Sequence, residues 1–85
     1  MLRHQLLAHA SITEVMATLR RAGSVYIEIV DAERAVLHVD GGAGLIDDRD
    51  GATAIDVLQF DDTLHVGFMI AALREAGIHV EHKET

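Results

Sequence analysis

Ser24-Val25-Tyr26-Ile27-Glu28-Ile29-Val30 and Arg34-Ala35-Val36-Leu37-His38-Val39-Asp40 decide how this chain folds. In the first run Val25, Ile27 and Ile29 recur at every second position, the period of a strand with one buried face. The second run continues that phase with Leu37 and Val39. Ala32-Glu33 between them reads as a turn, so the two runs form an antiparallel hairpin. Tyr26, Glu28, Val36 and His38 then fall on the opposite face of the sheet.

Downstream, Gly41-Gly42-Ala43-Gly44 breaks the alternation and reads as a flexible loop. Leu45-Ile46 and the acidic turn Asp47-Asp48-Arg49-Asp50-Gly51 follow. A third strand is predicted from about Thr53 to Phe60, β-branched or apolar at Ile55, Val57, Leu58 and Phe60. Asp61 or Asp62 caps a second helix over residues 63–76, and both acids complement its N-terminal dipole. That helix is apolar on nearly every side, from Leu64 and Val66 through Phe68, Met69, Ile70, Ala71 and Ala72 to Leu73. It is therefore expected to be covered on two sides, by the sheet and by a neighbouring helix or subunit, with Gly67 and Ala71 permitting a close approach there. Gly77 ends it, and Ile78-His79-Val80-Glu81 forms a last short strand that adds His79 and Glu81 to the open face.

Upstream, Ser11-Ile12-Thr13-Glu14 has the form of a capping box, a hydroxyl N-cap with Glu three residues later. Ile12, Val15, Met16 and Leu19 share one face of the helix it opens, and Gly23 is placed to end that helix in a left-handed turn. Leu2, Leu6, Leu7 and Ala10 make a second helical stripe, roughly opposite in phase to the first. One straight helix cannot bury both stripes against the same core. Either the chain breaks at Ser11, or residues 1–10 form a helical arm that packs on another surface, such as a second subunit.

The resulting expectation is an α+β fold. It is a small two-layer sandwich of an antiparallel three-strand meander plus one strand after a crossover helix, in the order α-β-β-β-α-β, with the helices on one sheet face. Residues 11–85 form the single domain and residues 1–10 the arm. The sequence also echoes itself: Ala17-Thr18-Leu19-Arg20-Arg21-Ala22-Gly23 and Ala71-Ala72-Leu73-Arg74-Glu75-Ala76-Gly77 agree at five of seven positions. Shared helix-end chemistry accounts for this without a duplication.

The 85 residues allow one core. The formal charge of -7 is concentrated rather than spread. Residues 1–30 carry Glu14 and Glu28 against Arg3, Arg20 and Arg21. Residues 63–85 carry Glu75, Glu81 and Glu84 against Arg74 and Lys83. Residues 31–62 set Asp31, Glu33, Asp40, Asp47, Asp48, Asp50, Asp56, Asp61 and Asp62 against Arg34 and Arg49 alone, and so supply the whole excess. With no basic run, direct nucleic-acid binding is not expected. The absence of cysteine excludes disulfides and thiolate chemistry. No apolar run has the length of a membrane span, and the N-terminal apolar run is too short for a signal peptide, so a cytoplasmic protein is expected.

Motifs for chemistry are sparse. Of the six histidines, His38 and His79 with Glu28 are the candidates for one metal, but no pair has the helical i, i+4 ligand spacing. Surface histidine is the preferred reading. An EF-hand with Gly51 at its sixth position would need ligands where Ile46 and Val57 stand. The glycine run lacks the Lys and Ser/Thr of a phosphate-binding loop, and acids flank it. Neither Ser11 nor Ser24 lies in a nucleophile elbow. No cofactor and no catalytic residue is expected, and the chain reads as a non-enzyme.

The apolar fraction of 49% and the two excess apolar stripes point instead to a protein-interaction module, expected to be a homodimer. Leu2, Leu6, Leu7, Val66, Met69 and Ile70 are the expected oligomer interface. Asp40, Asp47, Asp48, Asp50, Asp61 and Asp62 are the expected acidic docking residues for a partner with a basic surface. By analogy of size and charge alone, such a chain would act as an inhibitor or regulator of a nucleic-acid-binding protein, as small mobile-element or anti-defence proteins do. Two alternatives remain: a histidine/carboxylate metal-binding or metal-responsive domain, and a small-ligand domain with its site near the Gly41 to Gly44 run.

Overall fold

Leu2, His4, Leu6 and Ala8 share one side of a strand, and Arg3, Gln5 and Leu7 share the other. In the computed structural model of the chain, which describes residues 2–23, 25–60 and 66–85 together with the backbone of residue 65, this period of two prevails. Leu2–Ala8 is the first strand, β1. It is followed by α1 (Ile12–Ala22), β2 (Val25–Ile29), β3 (Arg34–Val39), β4 (Gly42–Asp48), β5 (Thr53–Gln59), α2 (His65–Glu75) and β6 (Val80–Glu84). The six strands make one sheet in the order β2-β3-β4-β5-β1-β6, antiparallel at every step.

The class is α+β, with both helices on one face of an antiparallel sheet and a strand following the second helix. The helical arm over residues 1–10 is corrected. Of the two ways out of the phase conflict, the chain takes the break at Ser11, whose extended backbone (φ -64°, ψ 153°) turns the strand into the helix. The Ser11 hydroxyl accepts the Glu14 N–H at 3.2 Å, as a capping residue should. β1 is not peripheral. It lies between β5 and β6, with Leu6 opposite both Ile55 and His82, and Ala8 opposite Thr53 and Val80.

The glycine run is also corrected. Only Gly41, at φ 72°, belongs to a turn, and Gly42 to Gly44 begin β4, so the meander runs through four strands. Absence of side chains is what lets this strand pair closely. A Cβ on Gly42 would stand 2.5 Å from the Leu58 carbonyl oxygen, and one on Gly44 would stand 2.7 Å from that of Asp56. The acidic run after Ile46 is a hairpin turn. Asp50 and Gly51 both have positive φ, 53° and 91°, and Arg49 N–H donates to the Ala52 carbonyl at 2.8 Å. This is the two-residue arrangement that Asp-Gly favours between antiparallel strands.

Every strand feeds the core: Leu6 and Ala8, Ile27, Ala35 and Leu37, Ile46, Ile55 and Val57, and Val80 of the otherwise charged β6 are buried. Ile12, Val15 and Leu19 of α1 and Val66, Met69, Ile70 and Leu73 of α2 close over them. Buried Thr53 is satisfied by donating to the Ala10 carbonyl at 2.9 Å. The outer side of α2 is uncovered: Phe68 is 70% exposed, and a Cβ on Gly67 would meet only open space. The expected cover on two sides is supplied by the sheet and by α1, whereas the close approach at Gly67 is not found.

The sequence echo has a structural counterpart. α1 links β1 to β2, α2 links β5 to β6, and each linked pair runs parallel. Both helices stop at a glycine of positive φ, Gly23 at 78° and Gly77 at 82°. The equivalent arginines then reach the strand that follows: Arg20 donates to the Ile27 carbonyl and Arg74 to the Val80 carbonyl, each at 3.4 Å. Both receiving strands are edges of the sheet.

Two substitutions test this architecture. Leu6→Ala should lower the unfolding free energy by about 2–5 kcal/mol in urea titration, as a truncation inside a packed core does. A detachable arm would leave it nearly unchanged. Gly44→Ala adds a single methyl group yet should destabilise by about 1–3 kcal/mol, because the carbonyl it meets belongs to a paired backbone.

Candidate functional site

The sheet face away from the helices carries the outward residue of each strand in rows set by the register. Tyr26, His38, Ala43, Leu58 and Arg3 form one row, and Glu28, Val36, Leu45, Asp56, Gln5 and Lys83 the next. Leu45 is 56% exposed and Leu58 40% exposed. With Val36, Ala43 and Gly44 they floor a shallow depression of about 450 Å³, whose wall is the Arg3–Asp56 pair. That pair is bidentate, with Arg3 Nε donating to Oδ1 at 3.0 Å and Nη2 to Oδ2 at 2.6 Å. The guanidinium holds the Asp56 carboxyl below the ordinary carboxylate range, mainly through these hydrogen bonds, and the carboxylate in turn raises Arg3. Beside the depression, His38 Nε2 lies 3.4 Å from Glu28 Oε1, and the His38 ring lies 5.6 Å from that of Tyr26.

Charge gathers at one end of this sheet. The β2–β3 and β4–β5 turns lie side by side, joined by Asp48 N–H donating to the Glu33 carbonyl at 2.8 Å. Asp31, Glu33, Asp47, Asp48 and Asp50 are thereby brought together against Arg34 and Arg49. Asp31 is committed locally: it accepts the Glu33 N–H at 2.8 Å and pairs with Arg34 at 3.0 Å, and both lower its pKa. Arg49 stands 3.9 Å from Asp47. Among the described residues, Glu33, Asp48 and Asp50 have no ion-pair partner.

The expected acidic set is therefore divided. Asp47, Asp48 and Asp50 do converge. Asp40 lies at the opposite end, beside Gly41, whose carbonyl accepts the Phe60 N–H at 2.6 Å. Asp61 and Asp62, with the helix cap assigned to them, lie outside the described residues. Asp31 and Glu33 belong to the cluster and were missed, because only the meander reveals that alternate hairpin turns share an end.

The expected oligomer interface is mostly spent on the chain's own core. Leu6, Val66, Met69 and Ile70 are at most 8% exposed, because β1 and α2 turn these residues toward the other strands and helix. Leu2 remains 41% exposed, and Leu7 is half-buried on the open face. The apolar residues that do reach solvent include Tyr26, Ile29, Val30, Leu45, Leu58, Phe60 and Phe68.

The candidate metal trio is not assembled. His38 and Glu28 are neighbours, but His79 precedes β6, roughly 20 Å away across the intervening strands. It sits instead by His9, at 5.1 Å between rings, and His9 pairs with Glu81 at 2.7 Å. No group of three potential ligands forms among the described residues. A different pair does form. His4, 7% exposed on the helix side of β1, meets His82 through Nδ1 and Nε2 at 3.0 Å with the rings stacked. This bond requires one of the two nitrogens to carry a proton and the other to be bare. His4 Nε2 is buried without a partner among the described residues.

The sequence matches no protein-family profile and no curated protein. No described helix is long and apolar enough to cross a membrane.

The ion pair in the depression predicts a signed pH effect. A carboxyl whose folded pKa is depressed stabilises the fold above its unfolded value, near ~3.9, and loses that contribution as pH falls through the folded value. Asp56→Asn should thus lower stability by up to about 1 kcal/mol at neutral pH, a figure limited by solvent screening of this half-exposed pair. Denaturant titrations of variant and parent should converge as the pH drops below ~3.9, or as salt is raised at neutral pH.

Proposed function

We propose that this chain is a non-enzymatic protein-interaction domain that docks through its open sheet face onto a partner with a basic surface. The observation that carries the reading is the apolar strip of exposed Leu45 and Leu58 with half-buried Val36, bordered at one end by the acids of two hairpin turns. An apolar centre with a charged rim is how protein interfaces are commonly built. The centre supplies buried area, and the acidic end steers a cationic partner and fixes its orientation.

A basic surface that ordinarily holds nucleic acid is the partner class this charge suits. Docking there places carboxylates where phosphates would sit, so the domain acts as an inhibitor or regulator of that partner. The half-exposed ion pair of Arg3 and Asp56 adds polarity to the centre without net charge. It favours partners able to lay a hydrogen-bonding side chain beside it.

Affinity capture from the native host, compared across variants, tests this. Leu45→Glu with Leu58→Glu charges the centre, and both side chains are exposed, so the fold should persist by circular dichroism. Asp47→Lys with Asp48→Lys reverses the end. Asp50 is better changed to Asn, because its positive φ disfavours Lys. The expected result is a basic partner retained by the parent, lost by the leucine pair, and held with a flatter salt dependence by the charge variant. A partner bound equally by all three proteins overturns the proposal.

A further inference from the structure

The two edges of the sheet are built differently. β6 is defended: after buried Val80 come Glu81, His82, Lys83 and Glu84, all exposed, and charge along an edge deters further pairing. β2 reads Val25-Tyr26-Ile27-Glu28-Ile29 and runs into Val30, with a single charge. Tyr26 is 65% exposed, Ile29 54% and Val30 58%. The hairpin phase shows which main-chain groups this edge offers. Val30 N–H donates to the Arg34 carbonyl at 3.0 Å, so Val30 faces β3. By alternation, Tyr26 and Glu28 also bond inward, while Val25, Ile27 and Ile29 present N–H and C=O outward. The Ile27 carbonyl confirms this phase by accepting Arg20 from outside β2, at 3.4 Å, longer than a strong bond.

We propose that a second copy of this chain adds its own β2 to this edge, antiparallel about a twofold axis at Ile27, giving one sheet continuous across a homodimer. Main-chain groups without a backbone partner among the described residues suit a strand as the occupant, and the edge is self-complementary. Centred on Ile27, each Val25 lies opposite the partner's Ile29, and all outward N–H and C=O groups of these three residues find mates. Arg20 releases the Ile27 carbonyl to a main-chain donor.

Side chains agree with this register on both faces. On the helix side, the partner's Ile29 arrives beside Val25, which lines a groove of about 300 Å³ between the two helices, walled by Phe68. The exposed apolar surfaces of Ile29 and Phe68 are covered in the same step. On the open side, Glu28 lies opposite the partner's Tyr26, next to the partner's His38, so the only acid of the strand meets a phenol and an imidazole. An axis moved to Glu28 would set the two carboxylates against each other. This dimer uses the edge and leaves the docking strip of Val36, Leu45 and Leu58 free, so it stands independently of the proposed function.

Sedimentation and cross-linking of the purified chain decide the matter. The parent should sediment as a reversible dimer. Ile29→Lys, at a position already exposed in the single chain, should raise the dimer dissociation constant at least about a hundredfold, because two ammonium groups enter apolar surroundings. Its circular dichroism should stay that of the parent. Lys83→Gln on the opposite edge should leave the dimer unchanged. The chain has no cysteine, so Val25→Cys with Ile29→Cys gives a clean register test. Facing residues of a hydrogen-bonded antiparallel pair have Cα atoms about 5.5 Å apart, within disulfide range. Mild oxidation should therefore yield a covalent dimer from the double variant, and from neither single variant. A monomer at all concentrations, or a dimer that survives Ile29→Lys and resists this cross-link, overturns the proposal.

Discussion

The pairing of β1 with both β5 and β6 is the constraint on which the rest depends. A strand from one end of the chain lies between two strands from its second half, so the sheet is continuous only when all three are in place. The Arg3–Asp56 and His4–His82 pairs, with sequence separations of 53 and 78, are side-chain consequences of that insertion. So is the burial of Leu6 and Ala8, which lets Ile55 and Val80 share one apolar layer. Contacts this distant close large loops before any pairing energy is gained, which is characteristic of slower-folding topologies. The α1 cap and the β2–β3 hairpin, by contrast, are local and can form early.

The same division between local and distant explains what could be read in the sequence. Ser11, Glu14 and Gly23 act within a few residues of themselves, and the first helix lies where they place it. Val25, Ile27, Ile29, Leu37 and Val39 alternate visibly because their strands face one core on one side. β1 does not read as a strand because its helix-facing side includes His4 and its open side includes Leu7. Two exchanged polarities are enough to turn a period of two into an apparent helical stripe. β4 is hidden in the sequence for a different reason. Gly42 and Gly44 are inward positions whose side-chain space is taken by the β5 backbone, so the pattern lacks the apolar residues that would mark a buried strand.

The candidate surfaces were legible to the same degree. Acidic excess in the middle third was plain, but its division into a five-acid end and a separate Asp40 depends on which turns lie at which end of the meander. For the apolar stripes, the excess over one core was overestimated. Leu6, Val66, Met69 and Ile70 are consumed by a six-strand sheet that is larger than the four strands the sequence pattern predicts. The true surplus lies on Leu45, Leu58, Ile29 and Phe68, single residues in strands and a helix whose other positions are needed inside.

The repeated helix ending connects these observations. Each crossover delivers its chain to an edge of the sheet, and each places an arginine against a carbonyl of that edge strand. At β6 the arginine supplements a strand whose exposed side chains already resist pairing. At β2 it is joined by only one acid, on a strand otherwise rich in β-branched and aromatic residues. An isolated chain with no use for that edge would be better protected by a second charge at Ile29, where nothing in its own core requires an isoleucine. On the proposed dimer, the difference between the edges is a difference in task. One edge ends the sheet, and the other retains the chemistry needed to extend it.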